Sequence, residues 1–205
     1  MRAIAWADRV RPSDWRRLVA PAPVFLAIGT LSIPFPELLG NGQDVAQALF
    51  KGGLAPLALL VLLPLRPLAT VAAAASGAPG GLFTPSLAAG ALVGGSLGQA
   101  WLALFGGGDV GLFALLGAGA MLAATTQGPI SSLILMMELT GEARAFALLM
   151  LLSIVVATMT ARTIEMRSIY EARLSDAEVA ERANRASGRA ELEARLKKDH
   201  EPAPA

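Results

Sequence analysis

The sequence predicts an all-α membrane protein built from multiple short, tilted and re-entrant transmembrane helices. Of its 205 residues, 54% are hydrophobic and 16% are charged, whereas a soluble domain usually carries about a quarter charged residues. Between Pro67 and Met137 the sole formal charge is Asp109. Such a stretch cannot cover a soluble surface, but it suits a lipid solvent. A wholly buried soluble core is the alternative, although a domain of this size buries few residues completely.

Composition also excludes several classes of function. The chain has no cysteine, which excludes thiol catalysis, disulfides and cysteine-based zinc sites. Its single histidine, His200, lies in a polar tail, so a histidine triad or metal cluster is not expected. The net charge is +1 and aromatic residues make up 5%, with no basic run suited to nucleic acid. We therefore expect no metal site, cofactor or nucleic-acid partner.

The two ends of the chain differ from the apolar middle. Residues 1–17 contain five arginines but no apolar run, which predicts a cytoplasmic lead rather than a signal peptide. Residues 18–174 form the predicted transmembrane domain. Residues 175–205 alternate acidic and basic residues with alanine, which predicts a charged cytoplasmic tail. Arginines flank both sides of the domain, so both termini are expected in the cytoplasm of a multi-pass cell-membrane protein.

The domain divides into helical segments separated by glycine- and proline-rich loops. In the third segment, Pro64, Arg66 and Pro67 predict a break. The fourth carries glycines at a spacing that lets membrane helices approach closely. Asp109, in a glycine loop, is expected to be a solvated turn residue. The predicted segments are 18–35, 44–50, 54–75, 84–105, 112–126, 129–139 and 145–161.

Some of these segments are too short to cross a bilayer. At 1.5 Å per residue, residues 112–126 and 129–139 cover about half to three-quarters of a core about 30 Å thick. Non-helical backbone at membrane depth is tolerated only when it is buried in protein or lines a polar cavity. Many transporters bind anions at the N-termini of such broken helices. The pattern thus predicts a transport protein with re-entrant helices.

The candidate anion site is the loop at residues 76–85. Gly80 and Gly81 let the backbone turn, and Pro85 suits the first turn of the next helix. The first amides of that helix, at Leu82 and Phe83, have no intrahelical partners and lie at the positive end of the helix dipole. They could bind an anion. The alternative is a simple linker between two membrane helices.

These residues resemble a known family. The run from Ser76 to Pro85 is similar to the Gly-x-Phe-x-Pro anion-binding motif of CLC chloride channels and proton-coupled exchangers. The resemblance continues at residues 89–94, 117–129 and 135–140, where the last ends in a Glu-x-Thr pattern. Arg66 also stands at a family-like spacing from the loop and is expected to contact a polar partner or an interface rather than the ion. Together these motifs cover roughly residues 18–174.

The resemblance implies a fold and a set of ligands. The fold would be the second half of the CLC inverted repeat, and Gly80, Gly81, Leu82 and Phe83 would form the anion loop. Tyr170 stands where the family places a tyrosine whose hydroxyl coordinates the central chloride, although an interfacial aromatic anchor is the alternative. Glu138 is a possible functional intramembrane acid. It also lies near a helix end, where it could instead reach water.

The first half's motifs, Gly-Ser-Gly-x-Pro and Gly-[Lys/Arg]-Glu-Gly-Pro, do not occur in this sequence. The expected function is chloride transport as a voltage-gated-type channel or chloride/proton antiporter, with this chain as a partial chain. The alternative is a truncated or split-protein remnant that needs a partner half and does not transport alone. A membrane enzyme is not expected, because cysteine, a useful histidine and carboxylate pairs are lacking. Expected partners are the bilayer, a small anion, and a second copy or the missing N-terminal half. The apolar surface for a homodimer would come from Ile130, Leu133, Ile134, Met137, Leu148 and Leu152.

Overall fold

The computed structural model describes residues 2–12, 15–78, 80–141 and 143–164, together with residue 185. The described residues form nine α-helices and one 3-10 turn at Pro36–Leu38, without a strand. The predicted all-α architecture is therefore confirmed. The helices are α1 (Arg2–Val10), α2 (Arg16–Val19), α3 (Pro21–Leu31), α4 (Gln43–Phe50), α5 (Pro56–Ala75), α6 (Phe83–Phe105), α7 (Val110–Thr126), α8 (Pro129–Thr140) and α9 (Ala143–Ile164).

The lengths of these helices fit a membrane protein with partial spans. Among the described residues, three helices are long and apolar enough to cross a membrane: α5, α6 and the Phe146–Ile164 part of α9. Three shorter apolar helices, α3, α7 and α8, have 11, 17 and 12 residues. The predicted mixture of long and short apolar helices is thus confirmed.

Two predicted helix boundaries were wrong, and both involve proline. Residues 18–35 do not form one helix, because Pro21 has no N–H with which to continue α2 and instead begins α3. In contrast, α5 runs unbroken through Pro64 and Pro67. Membrane helices tolerate interior proline when other groups satisfy the freed backbone carbonyls. Pro64 and Pro67 free the carbonyls four residues before them, those of Leu60 and Leu63.

The core centres on the contact between α6 and α7, the most extensive helix pair. A Cβ atom added at Gly94 would overlap the carbonyl oxygen of Phe113, and one at Gly90 would overlap that of Gly117. In the other direction, a Cβ at Gly117 would lie 2.5 Å from the Gly90 carbonyl oxygen. The backbones of the two helices therefore touch, as the glycine spacing predicted.

The remaining helices pack around this pair. Helices α4 and α5 pack against α6, while α8 and α9 pack against each other and against α7. Helix α1 packs against α5, and its Ile4 forms a small cluster with Leu82 and Val71. The largest fully buried side chains of the main core are Val45, Leu49, Leu59, Leu62, Leu92, Leu122, Met136, Met150 and Ile154.

Asp109 has a defined structural role. Its side chain is exposed, as expected for a turn residue. It also caps α7, because its Oδ1 accepts a hydrogen bond from the Gly111 amide at 2.8 Å. A carboxylate at this position satisfies one of the free amides of the first turn and interacts favourably with the helix dipole.

Candidate anion-binding site at the start of helix α6

The N-terminus of α6 presents free backbone donors. Leu82 is the N-cap residue and no side chain caps the helix. The Leu82 carbonyl is taken up by the helix, because it accepts from the Ser86 amide at 3.1 Å and from the Ser86 hydroxyl at 2.7 Å. Within the described part of the chain, the amides of Leu82 and Phe83 have no hydrogen-bond partner. These two N–H groups lie at the positive end of a 23-residue helix.

The loop before α6 is fixed at its ends and open in the middle. Gly77, with a φ of +88°, makes the turn after α5, and its carbonyl accepts a hydrogen bond from Arg11 Nη2 at 3.4 Å. Leu82 is buried against Ile4. By contrast, Gly80 and Gly81 are exposed, and a Cβ at either would meet no atom within 4 Å. Packing among the described residues therefore does not require glycine at 80 or 81.

A cavity of about 380 Å³ opens beside this loop. Its walls come from the loop and the first turn of α6, from one face of α5, from residues 38–41 and from α3. Most of these side chains are apolar, which leaves few polar groups to orient a ligand. The lining residues are Phe25, Ile28, Leu38, Leu39, Gly40, Asn41, Arg66, Ala69, Thr70, Ala73, Ala74, Ala78, Gly80, Gly81, Leu82 and Pro85.

Arg66 is the buried cation of this region, with 6% of its surface exposed. Its Nε and Nη2 donate to the Glu37 carbonyl at 3.3 and 3.1 Å, and Nη2 also donates to the Leu39 carbonyl at 2.9 Å. The predicted polar partner is thus confirmed. These partners are the backbone carbonyls of Glu37, in the 3-10 turn, and of Leu39, the residue after it. Every residue has a backbone carbonyl, so the sequence does not identify these two as partners.

Glu138 does not join the site. Its side chain is exposed near the end of α8, and Glu138 does not line the cavity beside the loop. Gly80, Gly81 and Leu82 do line that cavity, and Phe83 is the first residue of α6. Tyr170, the remaining predicted ligand, lies outside the described residues. The structure therefore places Gly80, Gly81 and Leu82 at the cavity and Glu138 outside it.

Comparisons with known proteins identify the family. The sequence profile of the voltage gated chloride channel family matches residues 1–162. The chain belongs to this family. It is therefore an integral membrane protein, and the matched region includes residues 1–17.

Two bacterial proteins illustrate the similarity to curated relatives. The chain is 37% identical over 174 residues to the voltage-gated ClC-type chloride channel ClcB of Salmonella typhimurium, covering 82% of this chain and 42% of the relative. It is 35% identical over 147 residues to ClcB of Escherichia coli, covering 71% of this chain and 35% of the relative. The chain therefore spans about two-fifths or less of the length of these relatives.

A solved structure shares the fold. The crystal structure of a slow cyanobacterial Cl⁻/H⁺ antiporter superposes with a TM-score of 0.68 at 27% identity. The match covers 82% of this chain and 40% of the antiporter chain. The helices described above thus correspond to part of a voltage gated chloride channel fold.

Most of the side chains predicted to form a homodimer surface are exposed. Ile130, Ile134, Leu148 and Leu152 are 73%, 58%, 79% and 62% exposed. Leu133 and Met137 are half-buried, and Leu133 packs against the main core. The prediction of an apolar surface is confirmed at four positions, and its use in a dimer stays a prediction.

Proposed function

We propose that this chain supplies one part of a transmembrane pathway for chloride or a similar small anion. The observation that carries the proposal is the start of α6: among the described residues the amides of Leu82 and Phe83 are unpaired, and a Cβ added at Gly81 would meet no atom within 4 Å. A helix N-terminus with free amides attracts anions without a full positive charge. Conduction needs binding that is favourable enough for the ion to enter and weak enough for it to leave.

In this proposal the protein performs no covalent chemistry and needs no cofactor or metal, because chloride itself is the cargo. The loop acts only as a set of ligands. Such a loop can serve a channel or a proton-coupled antiporter, and the names of the relatives include both. We propose Tyr170 as a further ligand, since a phenol donates one hydrogen bond without a net charge.

A second candidate function is supported by the length of the match. The chain spans 42% of the Salmonella relative and 40% of the antiporter chain. Several large apolar residues of α3, α5 and the turn after α3 are strongly exposed: Leu26, Ile33, Leu57, Leu60 and Leu68. Lipid or a complementary half could cover them. In this alternative the chain binds an anion at α6 but transports only when it is assembled with a partner half.

The test measures binding and flux on the same preparation. The purified full chain is titrated with chloride by calorimetry, then reconstituted into liposomes for chloride efflux. Binding together with efflux supports autonomous transport, and binding without efflux supports the partner-dependent alternative. Absence of binding in the unsubstituted chain would contradict both.

The matched variants are Gly81→Ala and Gly107→Ala. Neither added methyl group meets a described atom within 4 Å, and neither glycine has a positive φ. Both variants should therefore fold as well as the unsubstituted chain. We expect Gly81→Ala to weaken chloride binding, because it adds a methyl group to the loop that lines the cavity next to the amides. Gly107→Ala lies in the loop after α6 and should leave binding unchanged.

A further inference from the structure

Anion binding at the α6 amides does not by itself account for Arg66. An arginine side chain stays charged in proteins, and burial of a charge in an apolar helix is costly. Arg66 is buried, and it bonds to the carbonyls of Glu37 and Leu39 rather than to a carboxylate. Carbonyl dipoles satisfy the donors but leave the formal charge in place. Intramembrane cations of this kind usually serve function.

The surroundings of Arg66 leave this charge only partly balanced. Asp44 is exposed at the start of α4 and interacts electrostatically with Arg66. Its carboxylate lies beside Gly40, where an added Cβ would be 3.7 Å from Oδ2. Gly40 itself lines the cavity. The buried positive charge of Arg66 therefore lies in the cavity wall, and the exposed negative charge of Asp44 lies next to Gly40, another residue of that wall.

The Arg66 guanidinium is engaged by residues 37–42 rather than by the loop: Nε and Nη2 donate to the Glu37 and Leu39 carbonyls, and Nη1 lies against Gly42. Arg66, Thr70 and Ala74 lie on one face of α5 and line the same cavity. The guanidinium lies near Ala88 on α6, because a Cβ added at Gly42 would be 2.8 Å from Arg66 Nη1 and 2.6 Å from Ala88 Cβ. From Phe83 to Ala88 the helix rises about 7.5 Å at 1.5 Å per residue. An ion at the amides would thus be in the field of Arg66 without touching it.

We propose that Arg66 is a fixed positive charge that raises the affinity of the cavity for a small anion held at the Leu82 and Phe83 amides, without being a ligand. This inference rests on the proposed anion binding at that loop. Arg66 and Asp44 are the charges that the inference concerns, and Arg11, which donates to the Gly77 carbonyl, is a further cation at the loop.

The size of the effect follows from Coulomb's law. Two unit charges about 10 Å apart, at an effective dielectric constant of about 20, interact by enough to change occupancy on the order of tenfold. With the dielectric constant of bulk water the change falls to about twofold. Removing the charge of Arg66 should therefore weaken anion binding between about twofold and tenfold.

Arg66 also holds the fold locally, and the test must separate the two roles. Gly42, with a φ of +99°, brings the backbone so close that an added Cβ would lie 2.8 Å from Arg66 Nη1. We therefore compare Arg66→Lys, which keeps the charge, with Arg66→Gln, which keeps a donor but not the charge. Both lose the paired contacts to Glu37. Asp44→Asn changes the charge balance from an exposed position.

Chloride affinity is measured by calorimetry on the full chain in detergent, and thermal unfolding is recorded for each variant. We expect Arg66→Lys to bind within about twofold of the unsubstituted chain, Arg66→Gln to bind up to about tenfold more weakly, and Asp44→Asn to bind more tightly. Equal losses for both Arg66 variants, with Asp44→Asn unchanged, would reduce Arg66 to a structural clamp and overturn the inference. Failure of the unsubstituted chain to bind would instead refute the proposed function.

Discussion

The contact between α6 and α7 makes a sharp prediction for Gly94→Ala. Gly94 faces the backbone of α7, where a Cβ would overlap the Phe113 carbonyl oxygen and lie 3.1 Å from the Ala114 Cα. Both neighbours are backbone atoms, so no side chain can rotate away. The helices must separate to admit the methyl group.

The expected cost combines two opposing terms. Overpacking a tight core costs about 1–3 kcal/mol. Separating α6 and α7 also opens a gap of about 0.5–1 Å along their contact, which forfeits a quarter to a half of each dispersion contact there. Alanine gains up to about 1 kcal/mol over glycine in a helix. We therefore expect the free energy of unfolding to fall by about 1–2 kcal/mol.

The assay is reversible unfolding of the purified chain in mixed micelles, followed by circular dichroism. The matched control is Gly29→Ala in α3, where an added Cβ meets nothing within 4 Å. The control should leave stability unchanged or slightly raised. If Gly94→Ala were as stable as Gly29→Ala, the close backbone contact between α6 and α7 would be refuted.

Three further predictions follow from the capping, topology and exposed surface of the chain. Asp109→Ala should lower the free energy of unfolding by about 0.5–2 kcal/mol through loss of the α7 cap, whereas Asp109→Asn should retain most of it; equal losses would contradict the cap. Cysteines placed at Ser13 and Ser187 should react with impermeant thiol reagents only after permeabilisation, and labelling in intact cells would reverse the topology. The chain alone should dimerise weakly in detergent, and Ile134→Lys should weaken it further, as measured by sedimentation; a robust dimer unaffected by this change would contradict the proposed face.

The sequence predicted most of the architecture because its signals there are local. The glycine loop marks the start of α6 within one residue, since the structure begins the helix at Phe83 and the prediction began it at residue 84. The glycine spacing of α6 predicted a tight contact for a steric reason that holds in any fold. Proline was a less reliable guide, because Pro21 separated two helices and Pro64 did not interrupt α5.

What the sequence could not predict depends on contacts far apart along the chain. Arg66 indicated a buried charge that needed partners, but its partners are carbonyls of Glu37 and Leu39, and every residue has a carbonyl. Residues 38–41 lie between the predicted segments 18–35 and 44–50, and only the fold places them in the wall of the cavity. Glu138 is exposed on α8, and its role as a functional intramembrane acid stays a prediction.

Direct location of a bound anion would decide whether the start of α6 is the site. The full chain is crystallised in lipid with bromide replacing chloride, and the anomalous signal locates the ion. We expect one bromide about 3 Å from the amides of Leu82 and Phe83, with the Tyr170 hydroxyl on its other side and no contact to Arg66. Bromide bound elsewhere with the amides unoccupied, or bound directly by the Arg66 guanidinium, would contradict the account.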